Sequence, residues 1–303
     1  MSTTTLTALD VAAAPDLLDV LPPRKKRGRI ALFAYRHPTI FAGGVLLGLI
    51  IGIAIFAPFL FTVDPTALAP AKRTRAPSAL YWFGTDMLGR DVYSRVLYGS
   101  RISLIVGFSV AAVASAVGMF IGLVAGFVRV VDSVVMRVMD GLQSIPGILL
   151  AIALMALTRA SVQNVILAIA VTQVPPVSRL VRSVVLTLRE QPYVEAAIAA
   201  GTRVPVIIFK HILPNTVAPV IVQATFICAS AMLTEATLSF IGAGTPPIIP
   251  SWGNIMAEGR ALWQVKPYIV FFPAAFLSVS VLAVNLLGDG LRDALDPRLA
   301  KRI

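Results

Sequence analysis

The stretch from residue 102 to residue 128 reads ISLIVGFSVAAVASAVGMFIGLVAGFV and contains no charged side chain. A helix needs about 20 apolar residues to cross a hydrocarbon layer about 30 Å thick. This run is long enough, and a surface helix of a soluble protein would carry polar residues along one face. The stretch therefore predicts a helix that crosses a membrane, and it decides the fold class.

Five further charge-free runs extend this interpretation along the chain. They cover residues 39–61, 141–158, 161–178, 212–234 and 267–288. Only Arg159 and Ala160 separate two of them, which predicts a tight hairpin across the bilayer. Together with residues 102–128, the pattern predicts an all-α polytopic membrane protein with six transmembrane helices.

The composition agrees with this class. Hydrophobic residues make up 57% of the 303 residues and charged residues 14%, and the mean hydropathy is +0.84. Soluble domains carry about 45–50% apolar and about 25% charged residues. The single cysteine, Cys228, excludes an internal disulfide and a multi-thiolate metal site, and two histidines leave little for a histidine cluster. An ordinary soluble enzyme is thereby excluded.

The distribution of basic residues predicts the orientation. The net charge is +11, and if the six runs alternate, 17 of the 26 Lys and Arg residues fall on the side of the N terminus. Because cytoplasmic loops carry the excess of Lys and Arg, both termini are predicted to be cytoplasmic. Residues 1–29 predict a flexible cytoplasmic tail without a secretory signal. Residues 30–101 predict the first span, an outer loop and an interfacial helix at 89–101, and residues 102–303 a five-helix core.

A segment between spans four and five, on the predicted cytoplasmic side, reads EQPYVEAAIAAGTRVPVIIFKHILPN at residues 190–215. Pro192 suits the first turn of a short helix, and Gly201 suits the position after its end, where φ is positive. A second short helix is expected over 206–212, ended by Pro214. We call this segment the elbow. Its alanine surface beside Glu195 suits insertion into a groove on a partner, and a plain connection between two spans is the alternative.

Glycines and prolines inside the spans predict close packing and kinks. Pro175 and Pro176 predict a kink or an end in the fourth span, because two N–H donors are missing. Two rows of glycines at four-residue spacing predict tight helix contacts: Gly44, Gly48 and Gly52 in the first span, and Gly118, Gly122 and Gly126 in the second.

Glu235 is the one carboxylate well inside a predicted span. An acid at the centre of a membrane helix costs about 2.5–3.5 kcal/mol on insertion scales and usually faces protein or water. Three interpretations stay open: Glu235 lines a translocation pathway, it is paired structurally, or it lies nearer the outer surface than the run of apolar residues indicates.

The elbow resembles a motif of a known family. The residues that carry the resemblance to the EAA loop of permease subunits in bacterial ABC importers are Glu195, Ala196, Ala197, Gly201, Ile212, Leu213 and Pro214. In that family the loop is the coupling helix, seated in a cleft of the cytoplasmic ATPase. The resemblance therefore implies that these residues couple the chain to an ATPase.

Three further segments are similar to the C-type permease of dipeptide and oligopeptide importers, a type I (MetI-like) transmembrane domain. They read GTDMLGRD at 84–91, LSFIG with PSWG at 238–253, and NLLGDGLRDALDP at 285–297. The resemblance implies a translocation pathway for short peptides in the bacterial plasma (inner) membrane. The implied partners are a homologous B-type permease, two ATP-binding subunits and an extracytoplasmic substrate-binding protein. Permeases of this family for nickel or another small solute are an alternative.

Catalytic and ion-coupled classes fit the sequence less well. No Lys follows a Gly, so a phosphate-binding P-loop is absent and ATP and Mg are expected to be used by partner subunits. The aspartates of a membrane protease would have to be Asp140 and Asp289, which lie at span ends. An ion-coupled secondary transporter would show repeats and midplane acids, and Glu235 is the one candidate. A non-catalytic permease subunit without metal, cofactor or nucleic acid of its own is the prediction.

Overall fold

The computed structural model describes residues 29–295, which are 77% helical and contain no β-strand. The α-helices are α1 (Arg29–Arg36), α2 (Pro38–Phe56), α3 (Val92–Phe127), α4 (Arg129–Ser144), α5 (Gly147–Ala156), α6 (Val162–Arg189), α7 (Pro192–Ala199), α8 (Val204–Ile207), α9 (Leu213–Phe240), α10 (Trp252–Gly259) and α11 (Tyr268–Leu295). Apart from Arg29, the predicted tail at 1–29 lies outside the described residues.

The chain divides into two units between Arg36 and His37. Helix α1 is the described part of the first unit. Residues 37–295 are the described part of the second unit, a helix bundle that contains every predicted site residue.

Five segments of the bundle are long and apolar enough to cross a membrane. They are Pro38–Phe59, Val92–Phe127, Val162–Arg189, Val204–Phe240 and Tyr268–Leu295. The pair α4 and α5 makes a sixth if it counts as one span, although its two helices meet at an angle of 90°. The predicted all-α polytopic fold is therefore confirmed, with five or six spans within the described residues.

The third span differs from the straight helix expected over 141–158. Helix α4 ends at Ser144 and α5 begins at Gly147, so the apolar run starts on one helix and continues on another. Pro146 explains the break, because its ring disfavours helical geometry at the preceding residue and it has no N–H to donate. With ten residues, α5 alone is about 15 Å long, half the thickness of the hydrocarbon core.

The second span begins ten residues earlier than expected and replaces the predicted interfacial helix. Asp91 caps α3, since its side chain accepts a hydrogen bond from the Ser94 N–H at 2.9 Å, and the helix then runs unbroken for 36 residues. The expected interfacial helix would need a bend before residue 102. Its polar face instead lies inside the protein, where the Ser94 and Arg95 side chains are buried.

Two predicted helix ends at prolines do not occur. Of the kink or end predicted at Pro175 and Pro176, the end is absent, because α6 continues through both residues. Pro214 likewise does not end the second limb of the elbow, because it lies in the first turn of α9, where a missing N–H costs little. A five-residue π-turn, Ile208–Ile212, joins α8 to α9, so that Val204–Phe240 forms one helical segment of 37 residues.

The second glycine row packs as predicted and the first does not. A β-carbon added at Gly118 would lie 2.6 Å from Val177 Cβ, and one at Gly126 would lie 2.7 Å from Val185 Cβ, so α3 and α6 approach closely. Among the described residues, no atom beyond the adjoining part of α2 lies within 4 Å of a β-carbon added at Gly44, Gly48 or Gly52. A β-carbon added at the neighbouring Gly43 would instead lie 2.6 Å from the Leu287 backbone nitrogen on α11, so the close approach is there.

The bundle has two ends, which carry different loops. The loop end carries the segment before α3 and the loop of residues 242–251, which precedes α10. The elbow end carries the junction of α3 with α4, the last turn of α6, and the elbow.

Candidate functional site

The first limb of the elbow is a short helix held by one buried side chain. Gln191 is extended, Pro192 opens α7 and eight residues follow in helical conformation. Val194 is fully buried and anchors the helix, whereas Glu195 and Ala196 on its other side are exposed. The predicted coupling residues at the start of the motif are therefore available to a partner.

Gly201 ends this limb in the conformation that the sequence predicts. Its φ is +74°, and its N–H donates to the Ile198 carbonyl at 2.9 Å, while the Thr202 N–H donates to the Ala197 carbonyl at 3.1 Å. This pair of bonds is a Schellman motif, which satisfies two terminal carbonyls of α7. Positive φ at this position is the reason for a glycine.

The second limb is anchored in the bundle by two buried isoleucines. Ile207 and Ile212 are buried, Leu213 is half-buried and Pro214 is exposed. The Leu213 N–H reaches five residues back to the Ile208 carbonyl, as a π-turn requires. The elbow therefore leads without interruption into α9.

An aromatic contact joins the two limbs, and apolar side chains surround it on the surface. The rings of Tyr193 and His211 have centroids 6.1 Å apart. Phe209 is 69% exposed, and Ile198 and Val206 are each nearly half exposed. Exposed apolar side chains around a short helix are typical of a protein interface.

A cavity of about 530 Å³ lies beside the elbow and connects it to the bundle. Glu195 and Ile198 line it from α7, and Arg129 and Arg189 line it from α4 and α6. The Arg189 guanidinium donates to the Gly126 carbonyl at 3.0 Å and lies over the Phe127 ring at 5.0 Å, so it ties α6 to the end of α3. The exposed acid of the elbow thus adjoins the junction of three helices.

Glu235 lies near the loop end and is completely buried. The Ser239 hydroxyl donates to Glu235 Oε1 at 2.8 Å, and the Thr245 hydroxyl lies 3.4 Å from the same oxygen. Glu235 is five residues before the last residue of α9, about 8 Å along the helix. The carboxylate therefore lies near the last turn of α9, beneath the 242–251 loop.

The 242–251 loop is folded tightly against α9 and α10. The Asn254 side-chain amide donates to the Thr245 hydroxyl at 2.9 Å and to the Pro246 and Ile249 carbonyls at 3.0 Å each. Trp252 is fully buried, and its indole N–H donates to the Val96 carbonyl on α3 at 3.1 Å. The side chains of Asn254 and Trp252 hold this end of the bundle in one arrangement.

A cluster of four charged side chains at the loop end was not predicted from the sequence. Asp86 Oδ2 accepts from Arg90 Nε at 2.7 Å and from Arg95 Nη1 at 2.6 Å, and Glu258 Oε1 accepts from Arg95 Nη2 at 3.1 Å. Arg90 also pairs with Glu258. The two positive and two negative charges of the cluster balance each other, which allows these side chains to be buried. The four-residue spacing of Asp86 and Arg90 was visible in the sequence, but the distant Glu258 was not.

Within residues 29–295, no group of three or more His, Cys, Asp or Glu side chains is arranged to hold a metal ion. The predicted site residues fall into two separate places: the coupling residues lie together at the elbow end, and Glu235 lies at the loop end.

Comparison with known proteins gives one family and several close relatives. Residues 114–301 match the family described as binding-protein-dependent transport system inner membrane component. The chain is 52% identical over 280 residues to a probable peptide ABC transporter permease protein of Sinorhizobium fredii, covering 92% of this chain and 96% of the relative. It is 44% identical to a dipeptide transport system permease protein of Alkalihalophilus pseudofirmus, covering 87% of both chains.

A further relative and a solved structure are also similar to the chain. The chain is 41% identical to a glutathione transport system permease protein of Salmonella typhimurium, covering 88% of both chains. Among solved structures, a chain from inward-facing conformations of the MetNI methionine ABC transporter is 18% identical with a TM-score of 0.48, and the match covers 68% of this chain and 94% of that one.

Proposed function

The chain belongs to the family of binding-protein-dependent transport system inner membrane components, and from this premise we propose that it is the subunit of an ABC importer through which short peptides cross the membrane. The names of its relatives, which transport peptides, dipeptides and glutathione, support a peptide substrate. The chain is an inner membrane protein, and the proposal places the elbow end and both termini in the cytoplasm.

The elbow is proposed to couple transport to ATP hydrolysis on a partner subunit. The observation that carries this proposal is the exposed α7 surface around Glu195 and Ala196, held from behind by Val194 and ended by Gly201. Ile212, Leu213 and Pro214 then join the coupling limb to α9, so that a displacement of α7 reaches a membrane helix directly. A mere connection between spans would not need a Schellman-capped helix with exposed apolar side chains.

The geometry supports a mechanism in which α9 transmits the movement. The segment Val204–Phe240 has 37 residues and a length of about 55 Å, enough to reach from the elbow to the loop end. Closure of the ATPase subunits would displace the elbow, and the same helix would carry the displacement toward Glu235 and the 242–251 loop. Such a movement switches the pathway between its inward-facing and outward-facing states.

The partners proposed are a homologous B-type permease, two ATP-binding subunits and an extracytoplasmic binding protein. A stripe of exposed valines on α4, formed by Val130, Val134 and Val138, lies on one helix face at four-residue spacing and supports a protein or lipid neighbour there. The folded 242–251 loop supports docking of the binding protein. ATP and Mg are proposed to be bound by the ATP-binding subunits, and this chain is proposed to be non-catalytic.

Two alternative roles are proposed for Glu235, and experiments can distinguish them. Its hydrogen bonds to Ser239 and Thr245 and its complete burial support a structural role beneath the loop. The prediction that it lines the translocation pathway stays a prediction.

Purification tests the proposed function. The chain purified alone should neither bind nor hydrolyse ATP, because no Gly-Lys pair is present to form a phosphate-binding loop. ATP-binding subunits should co-purify from the native host, and the complex in vesicles should take up a labelled dipeptide only with ATP and binding protein. ATP turnover by the chain alone, or uptake without an ATPase partner, would contradict the proposal.

A further inference from the structure

An apolar groove of about 600 Å³ runs between α2 and α3 at the loop end of the bundle. Its walls are mainly Ile51 and Ile55 from α2 and Leu104, Ile105 and Phe108 from α3. Ile105 and Phe108 are 50% and 43% exposed, so the groove opens to the side of the bundle, toward the surroundings of the spans. Of the described residues that line it, Arg101 alone is charged.

Arg101 is fixed in position but has no acidic partner. Its guanidinium donates to the carbonyls of Ala54 and Ile55, the latter at 2.9 Å, and lies over the Tyr98 ring at 5.1 Å. These carbonyls belong to the last turn of α2, where no helical N–H is available to them. Within residues 29–295, no carboxylate lies within 4.0 Å of the Arg101 guanidinium. Its positive charge is therefore left for another anion.

The position of Arg101 along α3 matches the level of lipid headgroups. It immediately precedes the charge-free run of residues 102–128, so it marks the end of the hydrocarbon layer. Aromatic side chains cluster at the same end: the rings of Trp82 and Tyr93 lie 4.8 Å apart, and the Tyr93 hydroxyl donates to the Leu60 carbonyl at 3.0 Å. Trp and Tyr are enriched where membrane meets water.

The groove continues from Arg101 into the membrane. Its deepest lining residue on α3 is Ser109, eight residues further along and therefore about 12 Å deeper. A cation at headgroup level above an apolar channel of this length complements a molecule with an anionic head and a hydrocarbon tail.

We propose that this groove is a binding site for a membrane phospholipid. The lipid phosphate accepts hydrogen bonds from the Arg101 guanidinium, and one acyl chain lies along Ile105 and Phe108 toward Ser109. Because no carboxylate of the described part of the chain balances Arg101, a lipid with net negative charge binds better than a zwitterionic one. The lipid fills the space between α2 and α3 and stabilises their contact.

Native mass spectrometry of the full-length chain, extracted together with the subunits that co-purify, tests this site. The probe is an equimolar mixture of phosphatidylglycerol and phosphatidylethanolamine added after delipidation. Arg101→Gln should lower the affinity of the most tightly held phosphatidylglycerol about tenfold, the effect of one charge-assisted hydrogen bond. Ser109→Phe, which fills the deep end of the groove and leaves Arg101 in place, should lower it as well.

Arg159→Gln is the matched control, because it removes a basic residue from another predicted loop at the same end that lines no apolar groove. It should retain lipid as the unmodified chain does. Arg101→Lys should keep most of the preference for phosphatidylglycerol. If Ser109→Phe retains lipid unchanged in a correctly assembled complex, the groove does not hold the acyl chain. Efficient cross-linking of a cysteine at Ile105 to the second permease would also overturn the proposal, because a protein would then cover the groove.

Discussion

At the scale of single residues, Glu235 shows how a buried acid can be held at the end of a membrane helix. One carboxylate oxygen accepts from Ser239 and lies close to the Thr245 hydroxyl, one residue on α9 and the other in the loop above it. The carboxylate therefore joins the helix to the loop. This arrangement favours a structural role over direct contact with a transported peptide.

Replacement of Glu235 distinguishes the two roles. We expect Glu235→Ala to destabilise the complex by about 1–3 kcal/mol, because the two hydroxyl groups lose their buried acceptor. Uptake and the thermal unfolding midpoint should fall together, and Glu235→Gln should show the same trend more weakly. Asp64→Asn is a control, since Asp64 is exposed and bonds Thr66 two residues away. Lost uptake at unchanged stability would instead place Glu235 in the pathway.

The residues that the sequence could not reveal are those whose partners are far away in the chain. The role of Gly201 was predictable because it depends on the backbone of Gly201 itself and of the residues just before it in the chain. The ion cluster of Asp86, Arg90, Arg95 and Glu258 was not, because more than 160 positions separate Arg95 from Glu258. Only the packing of α10 on α3 brings these charges together.

At the scale of helices, the angle between the two limbs of the elbow depends on one glycine. Gly201 has positive φ, and within the described residues no atom beyond its two chain neighbours lies within 4 Å of the β-carbon that a substitution would add. A substitution there therefore acts through backbone strain alone, without a steric clash. Because a substitution at Gly201 adds backbone strain without a steric clash, it tests whether the angle of α7 matters for coupling.

We expect Gly201→Val to uncouple transport from ATP hydrolysis. The strain of about 1–2 kcal/mol at positive φ would be relieved by tilting α7, which moves Glu195 and Ala196 out of register with the partner. Glu195→Lys should also reduce coupling, because it leaves the backbone intact and reverses the charge. The measurements are dipeptide uptake and binding-protein-stimulated ATP hydrolysis on complexes with verified subunit content.

Gly141→Ala is the matched control for the elbow. Gly141 lies within α4 with open space around it and without positive φ, so alanine should be tolerated there. Normal uptake and stimulated hydrolysis in both Gly201→Val and Glu195→Lys would reduce the elbow to a connection between two spans.

Helix boundaries show where hydropathy succeeds and where it fails as a predictor. Runs of apolar residues located α2, α6 and α11 because lipid exposure requires such runs. They could not locate the 90° bend between α4 and α5, because the charge-free run of residues 141–158 continues through Pro146 without interruption. They also missed the first turns of α3, because its polar residues are covered by other parts of the protein.

At the scale of the whole molecule, the charge asymmetry predicts the orientation. The bundle places Ala71 and Gln264 on exposed segments, and both precede helices that begin at the loop end. Cys228 is buried and can be replaced to give a background without reactive thiol. The orientation is thereby open to direct chemical labelling.

We expect single cysteines at Ala71 and Gln264, but not at Ser2, to react with a membrane-impermeant thiol reagent in intact cells. The physical reason is the excess of basic residues on the side of the N terminus, which keeps that side in the cytoplasm. Permeabilised cells, in which all three positions should react, provide the control. Labelling of Ser2 in intact cells would require the opposite orientation.

The close approach of α3 and α6 along Gly118, Gly122 and Gly126 decides which parts of the transporter can act as moving parts. Rotation or sliding of either helix would bring backbone atoms into the side chains of Val177 and Val185, because no clearance is left between them. We therefore expect α3 and α6 to move together as one body in the proposed transport cycle. A displacement that starts at the elbow would then be a movement relative to this helix pair.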